Sequence, residues 1–392
     1  MMQCAPRAEP LLSESLAAPQ RLEAFSDELF GSQQRQAAFE RYLGLALQRE
    51  RPNRYWRVDL DALALHERAI DPHAGSVVVS CEDPRVLLGT PPAVLGSAGA
   101  IRSKFGALAN AFANRYGFVE IPADIDVEAP ILITYAARHG EAIFPYTCIY
   151  AHRGARASVI ERVEAAAGAL ACGVTEIVAD ESSDVTLAAY QHSAADATVV
   201  ATRSALAGAG AVVTLAGAEI GGALVIAEID AAVAGGGADI RIAEVFFPAD
   251  RQHVDVRSTV DHGVGGARSL TTVRSAATGH GQARYIGNIR IAAHAQKSDA
   301  SLRDDALILS AGAHIDSVPA LEIAANDVRA YHGATVGALD AETIFYMTTR
   351  GIDPLEAERM VTLGFFETAI EQFPALLREE LRAAIEAKVR QR

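Results

Sequence analysis

Lysine is nearly missing from this chain. Lys104, Lys297 and Lys388 are the only three among 392 residues, so almost all positive charge is arginine. Lys and Arg together number 35 against 49 Asp and Glu, for a formal net charge of -14. Without a basic surplus to meet phosphates, neither a nucleic acid nor an anionic membrane surface is expected as a partner. Ser103, Gln296 and Ala387 precede the three lysines, so the Gly-Lys-[Ser/Thr] of a P-loop is absent. Gly263-x-Gly265 and Gly279-x-Gly281 begin dinucleotide fingerprints, but Arg268 and Arg284 stand where the last glycine belongs. No HExxH and no GxSxG occurs. The four cysteines (Cys4, Cys81, Cys148, Cys172) form no CxxC pair, which disfavours a disulfide framework or a zinc site. Met1 to Gln20 lacks a basic start followed by an apolar core, so no export signal is read and a cytoplasmic protein is expected. Ser204 to Ala227 carries one charge, Glu219, but its Gly and Ala content and period-2 pattern favour strands over a membrane span.

What the chain does have is a repeat. Gly154-Ala155-Arg156-Ala157-Ser158-Val159 is echoed at Ser182 to Leu187, Gly210 to Leu215 and Gly237 to Ile242. These starts lie 28, 28 and 27 residues apart; a looser copy begins at Gly266, and Gly312-Ala313-His314-Ile315 reads as a later member. A fixed period built from a turn and alternating strands predicts a stacked solenoid, in which coils bury a shared core that none could bury alone. Val254-Asp255-Val256 and the run Tyr285, Gly287, Ile289, Ile291 keep the same alternation.

Helical signals flank this region. Leu22 to Leu47 has apolar residues at helical spacing until Pro52. Near the C-terminus Asp340 caps a helix that Gly351 stops, and Asp353-Pro354-Leu355-Glu356 starts a second. A third, after Pro374, shows Leu377, Leu381, Ile385 and Val389 on one face, a stripe that suits core packing or partner docking. Such helices can cap the open end of a solenoid or present a surface to a partner.

His332 stands alone between an apolar strand (Leu321, Ile323) and Gly333, which reads as a turn. Two readings remain open: a ring hydrogen-bonded to nearby backbone, or a neutral imidazole offered to iron. Asp299, Asp304 and Asp305, flanked by Lys297 and Arg303, form a carboxylate group in the repeat region and read as a solvated turn. A β-helix polysaccharide lyase or hydrolase, the enzyme-class alternative, would need such groups lining one face.

Several stretches resemble the SufB/SufD family of iron–sulfur cluster assembly scaffolds, most of all its SufD branch. They are Lys104 to Phe112, His262 with Ser269, Gly287-Asn288-Ile289, Ala295-Gln296 and Asp299. The most specific block comprises Leu321-Glu322-Ile323, Asp327-Val328, His332 to Gly337, Phe345-Tyr346, Arg350-Gly351-Ile352 and Gly364-Phe365. Trp56-Arg57 with Asp59-Leu60 is similar to the family's N-terminal tryptophan motif.

The resemblance implies a mainly β fold: a right-handed parallel β-helix (β-solenoid) over 101–330. A partly helical segment, 1–100, precedes it, and a C-terminal helical segment, 331–392, follows. It implies a non-catalytic scaffold that pairs with a SufB-like chain through the β-helix and holds a SufC-like ATPase on its C-terminal helices. Phe345, Tyr346, Arg350 and Gly351 are the candidate SufC contacts, and a homodimer is compatible with the isolated chain. His332 matches the family histidine that meets SufB cysteines where a cluster forms. No cofactor is expected to be held permanently, only a transient cluster or iron shared with SufB. SufB-like chains carry a cysteine within the stretch matching Gln296 to Leu309, and this chain has none there. A purely structural protein with an inert histidine is the third reading.

Overall fold

The structure is a computed structural model that describes residues 22–25, 31–47, 55, 58–65, 68–99 and 102–390. Met1 to Gln20, Pro52, Trp56, Arg57 and Ile101, invoked above, lie outside the described residues. In chain order the elements begin with α1 (Ser32–Gly44), β1 (Ser76–Ser80), β2 (Leu87–Leu88) and α2 (Lys104–Ala111). The first coils follow: β3 (Arg115–Ile121), β4 (Ile131–Ala137), β5 (Ala142–Ile143), β6 (Pro145–Ala151), β7 (Arg156–Ala165) and β8 (Leu170–Ala179). The middle holds β9 (Asp184–Gln191), β10 (Thr198–Ala207), β11 (Val212–Glu219), β12 (Leu224–Val233), β13 (Asp239–Phe246) and β14 (His253–His262). The last coils are β15 (Arg268–Ala277), β16 (Gln282–Ile291), β17 (Asp299–Ile308), β18 (His314–Ile323) and β19 (Arg329–Gly337). Three helices close the chain: α3 (Ala341–Thr349), α4 (Pro354–Ile370) and α5 (Ala375–Arg390).

The strands alternate between two sheets, which makes a parallel β-solenoid. One sheet has nine strands in the order β1-β4-β7-β9-β11-β13-β15-β17-β19. The other has ten: β18-β16-β14-β12-β10-β8-β6-β3-β2, with β5 paired to β8 beside this path. The repeat starts are the turns into the nine-stranded sheet. Gly154, Ser182, Gly210, Gly237 and Gly266 all adopt positive φ, between 57 and 74°. They stack through their amides: Gly154 donates to Glu181 O (3.0 Å), Ser182 to Ala209 O (2.9 Å) and Gly266 to Gln296 O (2.9 Å). The next member of that stack is Lys297 (φ 60°), not Gly312. Gly312 precedes β18 and so belongs to the turns of the opposite sheet, half a coil out of phase. Both turn stacks use Gly-Ala pairs, so the period alone does not distinguish them.

Between the sheets lies a core of mostly Val, Ile, Leu and Ala, including Ile133, Val159, Ile177, Leu187, Val213 and Ile240. Small side chains on both inner faces suit two sheets that face each other along the whole stack. Ser204 to Ala227, the most apolar segment, is accounted for by the end of β10, β11 and the start of β12. No described helix is long and apolar enough to cross a membrane.

The helices cover the solenoid's outer faces. Ser103 caps α2 by accepting from Gly106 N (2.8 Å), and every residue of α2 is buried. Phe105, Leu108 and Phe112 pack with Phe39 and Tyr42 of α1 over Phe118, Tyr146, Leu170 and Val200 of the ten-stranded sheet. Lys104 donates to Tyr42 O (2.9 Å) and Leu45 O (2.7 Å), placing a cation on the carbonyl end of α1. On the opposite face, the α5 stripe Leu377, Leu381, Ile385 and Val389 joins Phe366 and Ile370 of α4. Together they cover Ile160, Ala188, Ala216, Val245 and Ala276 of the nine-stranded sheet. The stripe is therefore core, and these helices line a flank instead of capping the open end.

Candidate functional site at the open end of the solenoid

The two ends of the stack differ. At the N-terminal end β1 and β2 pair antiparallel with β4 and β3, and they are only 5 and 2 residues long. At the other end β18 and β19, 10 and 9 residues long, are the outermost strands of their sheets. Their outer edges pair with no described strand. Long uncovered edges are templates for another chain. Their side chains agree: Val318 is 46% exposed, Ile323 41%, Tyr331 60% and Val336 42%.

His332 lies within β19, so it and Gly333 are strand residues and not part of a turn. The turn is upstream, where Asp327 N donates to Gln296 Oε1 (2.8 Å). Gly333 belongs in the strand because a Cβ there would sit 2.6 Å from the Tyr331 hydroxyl, so the tyrosine ring uses its space.

In-register pairing fixes where His332 points. It aligns with Leu302, and downward through the sheet with Thr271, Ile242, Leu215, Leu187, Val159 and Ile131. Every one of those seven is at most 1% exposed. Strand side chains alternate between faces, so aligned residues share a face. His332 is thus the last member of an inward-facing column, exposed because no further described strand lies above it. Leu302 beneath it packs on Gly287, where a Cβ would overlap Leu302 Cδ1. A neighbouring inward column ends in Asp304 and Ala334. Asp304 is buried, accepts from the Ser317 hydroxyl of the facing sheet and is pushed up to about 6 by burial.

Other residues noted in the sequence fall into place around this end. His262 Nε2 and Ser269 Oγ meet at 2.8 Å, both buried, and burial lowers the histidine pKa. Asp299 opens β17, while Asp305 faces out and pairs with Arg274 (2.6 Å) and Arg303 (2.7 Å). These three aspartates do not line one groove. Phe345 (69% exposed) and Tyr346 (59%) stand on α3, which buries none of its residues. Arg350 lies 5.2 Å over the Tyr346 ring, and Gly351 (φ 89°) ends the helix. His332 and these residues occupy different elements, strand edge and helix.

Among the described residues no three His, Cys, Asp or Glu side chains converge as a metal site. Cys148 and Cys172 are buried free thiols, and burial pushes both well up, so neither is a ready thiolate. An interior ion pair, Arg203 with Glu219 (2.7 Å), carries no signal in the sequence. Strands buried on both faces lose the alternation that would mark an inward charge as unusual.

Residues 133–365 match the model of the SufBD core domain of the SUF system for FeS cluster assembly. The chain is 33% identical to the iron-sulfur cluster assembly protein SufD of Escherichia coli over 173 residues, 44% of this chain and 40% of that protein. It is 29% identical over 302 residues to an iron-sulfur cluster assembly SufBD family protein of Mycobacterium tuberculosis, covering 74% of this chain and 76% of the relative. A Mycobacterium leprae member is 26% identical over 314 residues, 76% of this chain and 79% of that protein. The matched span contains the solenoid from its first coils, the terminal strand β19 with His332, and α3. The chain belongs to the SufBD family of FeS cluster assembly proteins.

Proposed function

We propose that this chain is a non-catalytic, SufD-like scaffold subunit, and that it pairs with a SufB-like chain through the open end formed by β18 and β19. The observation that carries this reading is the placement of His332. A lone imidazole terminates a core column on an uncovered sheet edge, where a docking strand would close over it. One nitrogen donor does not hold a cluster, so the remaining ligands, thiolates above all, come from the partner. Iron and sulfide are the substrate assembled between the chains, and neither chain retains the product.

The C-terminal helices supply the other contact. α4 and α5 are bound firmly to the nine-stranded sheet, with Arg162 donating to both oxygens of Glu380 (2.8 and 2.7 Å). α3 instead leaves Phe345 and Tyr346 uncovered and directly follows β19, the strand that carries His332. A SufC-like ATPase seated on α3 would bias the terminal strand between two arrangements of the interface, one closed and one open to iron.

Two variants test the reading in a complex co-expressed with SufB-like and SufC-like partners. His332→Ala should assemble normally yet carry at least about tenfold less iron and acid-labile sulfide under anaerobic reconstitution, the effect of losing about 1.4 kcal/mol or more of ligation. Phe345→Ala combined with Tyr346→Ala, both exposed on α3, should abolish co-purification of the ATPase while the SufB-like chain remains bound. Unchanged iron in the first, or a retained ATPase in the second, contradicts the corresponding assignment.

A further inference from the structure

One inward-facing column of the nine-stranded sheet is unlike the others. It runs Ile133, Glu161, Ala189, Gly217, Glu244, Val273, Asp304 and Ala334. Glu161 accepts from Thr147 (2.6 Å) and from Thr175 (2.9 Å) of the facing sheet. Glu244 has no such donors. Both of its oxygens are buried and without a hydrogen-bond partner, and so is Oε2 of Glu219 one column away. A single guanidinium reaches across from β10. Arg203 donates to Glu219 Oε1 at 2.7 Å and stands 4.0 Å from Glu244 Oε1, too far for a hydrogen bond. Glu219 and Glu244 are 0% exposed, and Arg203 is 5% exposed. The site is shaped for this carboxyl group, because a Cβ on Gly217 would overlap both Glu244 oxygens.

One guanidinium neutralises one carboxylate, and here it is hydrogen-bonded to Glu219. A second carboxylate in the same dry interior has to neutralise itself or bind a cation. Mg²⁺ and Ca²⁺ take six or more oxygen ligands, and Glu219 Oε2 with the two Glu244 oxygens offers three. A cavity beside Arg203, lined also by Glu161, Thr175 and Gln191, has a volume of about 20 Å³. That is room for one water molecule and not for a hydrated ion. We propose that the solenoid interior is a proton-binding site, in which Glu244 takes up one proton from solvent as the chain folds.

The charged and titratable groups around Glu244 are few. Glu219 faces it from β11 and Glu161 lies farther along the column on β7. Arg203 projects from β10, Tyr285 from β16, and Asp304 lies beyond Val273 on β17. Burial pushes Glu244 up to about 8, with Arg203 opposing and Glu219 reinforcing the shift. The folded value lies above the ordinary 4.5, so the folded chain binds a proton that the unfolded chain has released. Stability on this account falls as pH rises from about 4.5 to about 8 and is level above that.

The experiment compares chemical denaturation of the full chain and of Glu244→Gln from pH 5 to pH 10, with infrared spectra of protein labelled with ¹³C-glutamate. Glutamine reproduces the neutral acid without its titration. The folding equilibrium of the variant relative to the parent should grow by up to about tenfold per pH unit until pH 8, then stay constant. A protonated-glutamate carbonyl band should be present in the parent at pH 7, disappear near pH 8 and be missing from the variant. Burial raises the Glu161 pKa as well, so if the variant fails to fold the parent's band decides by its loss near pH 8, and a band that persists above pH 8 overturns the assignment to Glu244. A ratio independent of pH, or no such band at pH 7, overturns the proposal.

Discussion

Leu302 is the seat on which His332 rests, and Gly287 is what lets Leu302 lie there. Any side chain at 287 would drive into Leu302 Cδ1 and the Tyr285 ring, so the space is already taken. Gly287→Ala should therefore destabilise the chain by about 1–3 kcal/mol, the usual cost of overpacking a filled interior, as read by urea denaturation. His332→Ala removes an exposed ring from the same stack and should change stability by no more than about 0.5 kcal/mol. The contrast separates a residue that supports the stack from one that lies exposed at its end. His332 could be singled out in the sequence as a lone histidine in a family block, but not as the end of a core column. The column's members are 28, 28, 28, 27, 29, 31 and 30 residues apart. A strict 28-residue period drifts off this row before it reaches residue 332.

The helical elements were legible in their ends and illegible in their docking. Asp340 accepts from Glu342 N (3.2 Å) and Thr343 N (3.1 Å), and Asp353 from Leu355 N (2.9 Å), so both caps match their sequence signals. A periodic stripe states which face of a helix is apolar but not what covers it, and here the cover is the outer face of the nine-stranded sheet. That layer depends on packing more than on charge. Leu381→Ala should cost about 2–5 kcal/mol because the side chain is 1% exposed in a filled interface. Arg162→Ala should cost about 1 kcal/mol or less, since its partner Glu380 is 44% exposed and water screens the pair. Limited proteolysis of the two variants checks the order: the leucine variant should release α4 and α5 first, and equal release would contradict it.

Seen whole, the molecule is a stack of coils sheathed by helices on both outer faces, with one end finished and the other bare. The period and Gly turns made the stack readable from sequence, while the finished end was not, because β1 and β2 come from a region without the repeat. Val318→Lys with Val336→Lys would put charges on the two bare edges, at residues that belong to neither helix-covered cluster. That double variant should fold with parent-like circular dichroism yet fail to co-purify with a SufB-like partner. Retained pairing would place the interface elsewhere.

The central claim is that the imidazole closing the Leu302 column reaches the nascent cluster. Pulsed electron paramagnetic resonance of the reduced, reconstituted complex tests this directly, with only this chain labelled with ¹⁵N-histidine. The account expects a ¹⁵N coupling to the cluster that vanishes in His332→Ala; a cluster without any coupling to this chain's histidines would contradict it.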